Sequence, residues 1–127
     1  MTDGDVLYIT FFKKGRFFAS SNGTLKLRGD DVILTELNRK GEATAEYRLP
    51  LSRVKNAELK RGLISSQLIF KSLSRNYIES IPGSDGVTLR IGIKKAHSSK
   101  AESFSKALKL RHSEIVLRGL TEDPTEG

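Results

Sequence analysis

His97 and His112 are the two histidines of the chain, the residues whose ordinary charge change falls nearest neutral pH. His97 stands just before a predicted helix and His112 near its end. At about 1.5 Å of rise per residue they are too far apart to share a site, and both are expected at the surface. The absence of cysteine removes disulfides, thiolate nucleophiles and cysteine metal sites together, and is compatible with a reducing compartment. The sequence contains no G-x-S-x-G elbow, H-E-x-x-H pair, G-x-x-x-x-G-K-S/T loop or G-x-G-x-x-G turn. Asp30 and Asp31 are adjacent, so their side chains diverge and their simplest role is turn chemistry. The expectation is a protein that is not an enzyme and uses neither metal nor cofactor.

Positive charge is the chemistry that remains. All 22 Lys and Arg lie before residue 119 together with 12 of the 15 acids, so residues 1–118 carry ten more cations than carboxylates. A field of that sign gathers phosphates, acidic lipids or acidic proteins, and makes association sensitive to salt. The anion-binding candidates are Lys13, Lys14 and Arg16 in one turn, and Arg53, Lys55, Lys60, Arg61, Lys71 and Arg75 around two later strands. In Lys60-Arg61-Gly62-Leu63-Ile64-Ser65-Ser66, two cations and a glycine precede two adjacent bulky apolar residues within a predicted loop. Leu63 and Ile64 either fold inward or form an exposed apolar tip suited to a membrane surface or a protein partner.

The elements that position these residues are nearly all strands. Residues 5–18 hold Tyr8, Phe11, Phe12, Phe17 and Phe18 around Lys13-Lys14-Gly15-Arg16, which predicts a hairpin turning at Gly15 or an extra strand. Thr24–Arg28 and Val32–Leu37 alternate about Gly29-Asp30-Asp31. Another strand runs from Ala43 to Leu49, and Pro50 places it at an edge or bend. Strands follow from Val54 to Leu59, around Leu68 and Phe70, from Tyr77 to Ile81, and from Val87 to Lys94, giving seven after residue 23. Ser99-Lys100-Ala101-Glu102 has capping-box form and opens an amphipathic helix over 99–118, with Ala101, Phe104, Leu108 and Ile115 facing the sheet. Gly119 is expected to stop it.

At 127 residues the chain suits one domain, here residues 1–118, with 119–127 a flexible acidic tail or linker. No apolar run approaches the roughly 20 residues that span a bilayer. The acidic start Met1-Thr2-Asp3-Gly4-Asp5 is unlike a secretory signal, so the expected location is cytoplasmic, or peripheral at a membrane.

Gly23-Thr24-Leu25-Lys26-Leu27, then Val32-Ile33-Leu34, then Leu49-Pro50-Leu51-Ser52-Arg53-Val54 resembles the pleckstrin-homology-like superfamily, especially its GRAM, bacterial PH and GLUE branches. Those branches often show a G-T-L strand, a hydrophobic second strand and a P-L-x-x-I/V step. The resemblance covers about residues 23–118. It implies a mainly β fold, a PH-like bent antiparallel sheet or barrel of about seven strands capped by a C-terminal helix. It also implies an adaptor that binds phosphoinositides, acidic membranes or proteins, since GLUE domains of the endosomal sorting complex ESCRT-II bind phosphoinositide and ubiquitin. The phosphoinositide-binding pattern has a long basic loop between the first two strands. Counted from residue 23, the corresponding turn is Gly29-Asp30-Asp31, whose carboxylates repel phosphate.

The reading is therefore a non-enzymatic interaction module for a protein partner such as ubiquitin or a complex subunit, with acidic phospholipid as a further ligand. The alternative is a basic nucleic-acid or chromatin-associated PH-like domain, which predicts affinity that falls steeply with salt.

Overall fold

The computed structural model describes residues 6–12, 21–74, 78, 80–82 and 84–122. Eight strands follow one another: β1 (Leu7–Phe11), β2 (Ser21–Arg28), β3 (Asp31–Leu37), β4 (Ala43–Pro50), β5 (Val54–Lys60), β6 (Ser65–Ser72), β7 (Ser84–Asp85) and β8 (Thr88–Lys94). A 3-10 turn, Lys95–His97, leads into the single α-helix, α1 (Ser98–Glu122). The sheet order is β4-β3-β2-β1-β8-β6-β5, with β7 against β8, and every pairing is antiparallel. The architecture is mainly β, an antiparallel sheet with a C-terminal helix packed against it, the arrangement the resemblance implied.

Alternation builds the core. Leu25, Val32, Leu34, Leu49, Leu68, Phe70, Leu89, Ile91 and Ile93 point inward, and each is buried. At Gly23 the sheet has no room for a side chain. A Cβ there would lie 2.4 Å from Phe11 Cε2 and 2.4 Å from the Thr35 carbonyl oxygen. The Phe11 ring therefore occupies the inward space of a β2 residue that has no side chain, and this is the physical content of the G-T-L motif. The reversals at Gly29, Gly41 and Gly86 each use positive φ, at 61°, 84° and 65°.

The helix closes the corner left where β4 passes into β5. Leu51–Arg53 form a 3-10 turn there, Leu51 is fully buried, and its backbone N–H donates to the Asp30 carbonyl at 2.9 Å. Ala101, Ser105 and Leu108 are the buried face of α1, with Phe104 and Ile115 packed beside them. His112 Nε2 donates to the Val54 carbonyl at 2.7 Å. Arg111 Nη1 donates to the Gly29 carbonyl at 2.8 Å. The helix is thereby fastened to two separate strand junctions.

Three sequence expectations change. Of the hairpin or extra strand expected over 5–18, the described residues hold one strand, β1, which pairs with Ser21–Leu25. The hairpin's expected second arm, with Lys13, Lys14 and Arg16, lies outside the described residues. β1 is an integral strand, which makes Gly29-Asp30-Asp31 the second reversal of the sheet rather than the link between its first two strands. The expected strand from Tyr77 to Ile81 gives way to turns: Ile81 N–H donates to the Ile78 carbonyl at 2.9 Å, and the two isoleucines anchor the segment in the core. The short β7 takes the place beside β8. Finally, α1 runs through Gly119, whose φ is not positive.

Candidate functional site: an apolar tip ringed by lysines

The β5–β6 connection is where the sequence left two outcomes open, and Leu63 and Ile64 are 93% and 84% exposed. Inward folding is ruled out for both. The ladder closes at Lys60↔Gln67, leaving residues 61–64 to turn the chain. Gly62 makes that turn tight, since a Cβ on it would stand 2.5 Å from the Ser65 carbonyl oxygen. With the backbone folded so closely, the two residues that follow are pushed to the apex. Arg61 braces the loop, its Nη2 in an ion pair with Glu102 near the start of α1. Glu102 was expected to close a capping box with Ser99; its carboxylate reaches the loop instead.

Lysines come to this end of the sheet from four elements. Lys60 ends β5, Lys94 stands across from Ser65 in the β6–β8 ladder, and Lys95 follows it in the 3-10 turn. Lys100 lies in the first turn of α1, two residues before the glutamate that holds Arg61. All four are exposed. Lys94, Lys95 and Lys100 were absent from the sequence-derived candidates. A signal existed, because Lys94-Lys95 marks the junction between the clearest strand and the helix.

The remaining candidates do not join this group. Lys71 sits across from Asn56 and Thr88, at the other end of the β5–β6 ladder from Lys60. With about 3.3 Å of rise per residue, the seven residues of β5 separate the two ends by roughly 20 Å. Lys55, at the bulge of β5, and Arg53, in the 3-10 turn, share the Lys71 end, and the Arg53 carbonyl accepts from Leu73 N–H at 2.8 Å. Arg75 lies outside the described residues.

Several other charges are spent within the fold. Asp30 meets Arg118 at 3.1 Å and Arg111 at 3.5 Å, and Asp31 meets Arg48 at 2.8 Å. The adjacent aspartates diverge as expected, but they also hold the helix and the β4 edge. Glu36 accepts from Ser21 Oγ at 2.8 Å and from the Tyr47 hydroxyl at 3.1 Å. Burial, then the hydrogen bond to Glu36 and the negative charge of that carboxylate, hold the Tyr47 phenol above its ordinary range. Both histidines are half-buried rather than free on the surface: His112 is bonded to Val54, and the His97 ring lies 5.6 Å from that of Tyr8.

Among the described residues no group of three His, Asp or Glu side chains is placed to hold a metal ion. No helix among them is long and apolar enough to cross a membrane.

The described residues form a mainly β antiparallel sheet with a C-terminal helix packed against it. Among solved structures, the chain is similar to the pleckstrin homology (PH) domain of USP37, with 18% sequence identity, a TM-score of 0.48, and coverage of 85% of this chain and 98% of that one. No family model matches the sequence. No curated protein matches it either.

Proposed function

We propose that the chain is a non-enzymatic interaction module that docks peripherally on an acidic phospholipid surface through the β5–β6 tip. The observation that carries this reading is the exposure of Leu63 and Ile64 in the β5–β6 turn, at the end of the sheet to which β5, β8, the 3-10 turn and α1 bring the exposed Lys60, Lys94, Lys95 and Lys100. An exposed leucine–isoleucine pair in water is unfavourable, and burying each side chain in an apolar medium gains about 1.5–3 kcal/mol. Lysines beside them add about 1 kcal/mol each near an anionic leaflet, and their aliphatic stems follow the apolar pair inward. Neither contribution anchors a protein alone, whereas the two together match the requirement for two signals in peripheral binding.

A second reading is protein recognition, with ubiquitin or a complex subunit as the partner in a GLUE-type role. It draws on a different surface: Leu110 and Leu117 lie two turns apart on α1 and are 63% and 60% exposed. A stripe of that spacing suits a partner laid along a helix.

Sedimentation with vesicles separates these readings. The membrane reading expects the chain to pellet with phosphatidylserine-containing vesicles and not with pure phosphatidylcholine, and Leu63→Asp with Ile64→Asp to abolish pelleting. Pelleting unchanged by the double substitution would overturn it. Absence of pelleting, with ubiquitin-induced shifts along α1, would establish the second reading, and retention of DNA at low salt would establish the nucleic-acid alternative.

A further inference from the structure

β1 and β8 meet in the middle of the sheet, and among the described residues they pair at two positions, Thr10↔Gly92 and Phe11↔Ile91. Continuing that register would set Tyr8 against Lys94, but the ladder ends before reaching them. The strands part, and a pocket of about 280 Å³ opens on the outer face between them. Its volume falls just below the roughly 300 Å³ at which sites for drug-sized ligands begin, so it fits a small group with a short substituent.

The lining has one chemical bias. Tyr8, Thr10, Asn22, Lys94 and His97 supply its polar side chains, and all five carry hydrogen-bond donors. Among the described residues no carboxylate lines it. Glu36 precedes the lining residue Leu37, yet its carboxylate is engaged by Ser21 and Tyr47 and is not part of the wall. Tyr8 and His97 form a tilted aromatic side, their rings 5.6 Å and their planes 39° apart. A pocket with a lysine, several neutral donors and no acid selects an anion. Oxygen atoms pointing in several directions, as on a phosphoryl group, use such a set more completely than a planar carboxylate does.

We infer that this seam pocket binds a phosphoryl group, carried by a lipid headgroup or as free phosphate. Lys94 connects it with the tip, because the residue opposite Lys94 in the ladder is Ser65, the first after Leu63-Ile64. A headgroup at the level of the tip thus lies beside the pocket. The phosphoryl assignment follows from the lining, and only the lipid source rests on the membrane reading above.

The test uses the full chain labelled with ¹⁵N and two variants, Lys94→Gln and Asn22→Ala, both exposed positions whose folding is checked by thermal melting. Titration with inorganic phosphate is expected to give saturable amide shifts at Tyr8, Thr10, Asn22, Lys94 and His97. Loss of one charge-assisted contact in Lys94→Gln should weaken that binding about tenfold. Non-saturating shifts scattered over surface lysines, unchanged in Lys94→Gln, would overturn the proposal. A second arm compares vesicles containing phosphatidic acid, which presents a terminal phosphate, with vesicles containing phosphatidylglycerol, whose phosphate is internal. Preference for phosphatidic acid that Lys94→Gln removes assigns the lipid source. Phosphate binding without that preference upholds the pocket and overturns the lipid source alone, while tip-dependent pelleting without phosphate shifts overturns the pocket and spares the membrane reading.

Discussion

Arg118, near the end of α1, places its Nη1 3.1 Å from the Asp30 Oδ2 in the β2–β3 turn. Arg111, two turns earlier, donates to the carbonyl of Gly29 and also approaches Asp30. The acidic turn that would repel a phosphate ligand is thus occupied in holding the helix over the open corner. Asp30 is about half exposed, so its pairs are screened by water and ions. Asp30→Asn is expected to lower stability by roughly 0.2–1 kcal/mol at low salt. Denaturant midpoints should show the difference shrinking as salt is raised.

A much larger cost is expected at the buried face of the same helix. Leu108 is fully buried against the sheet. Leu108→Ala should cost about 2–5 kcal/mol, within the range for removing a core leucine and leaving a cavity. Hydrogen exchange should show faster opening of α1 and of β5, which α1 covers.

Gly23→Ala tests the lack of room at that position. Phe11 is a core side chain and the Thr35 oxygen is backbone, so the added methyl has nowhere to go. The expected loss is about 1–3 kcal/mol, seen as a lower denaturant midpoint with an unchanged slope.

Tyr47 sets a limit at high pH. Its phenol is held above the ordinary value, so its folded state favours the neutral form. That contribution is fully present below about pH 10, the unfolded value, and is lost as pH rises through the raised folded value. Stability of the wild-type chain should therefore fall more steeply above pH 10 than that of Tyr47→Phe, measured by denaturation across the alkaline range.

Much of the fold was legible because short-range alternation records it. Leu25, Leu27, Val32 and Leu34 announce β2 and β3, and Ala101, Phe104 and Leu108 announce the buried side of α1. What periodicity does not record is which strands meet. β1 joins β2 and β8 across long stretches of chain, and only that pairing shows that the acidic turn comes second and that a seam opens at Tyr8. The Tyr77–Ile81 segment alternates like a strand, but its isoleucines enter the core from turns.

The candidate site was legible in part for the same reason. Leu63 and Ile64 stood out by composition, while their exposure depends on Gly62 closing against Ser65, a contact no local pattern encodes. The lysines come from β5, β8, the 3-10 turn and α1, which the register of β6 with β8 and the Arg61–Glu102 pair bring to one end of the sheet.

The chain contains no tryptophan, so Leu63→Trp places a single indole at the apex. Its fluorescence on mixing with phosphatidylserine-containing vesicles tests membrane docking most directly. The account predicts a blue-shifted emission that is quenched by brominated acyl chains, reversed by high salt, and absent with phosphatidylcholine alone. An emission maximum that stays at its water-exposed position while the protein nevertheless binds the vesicles would contradict insertion of the tip.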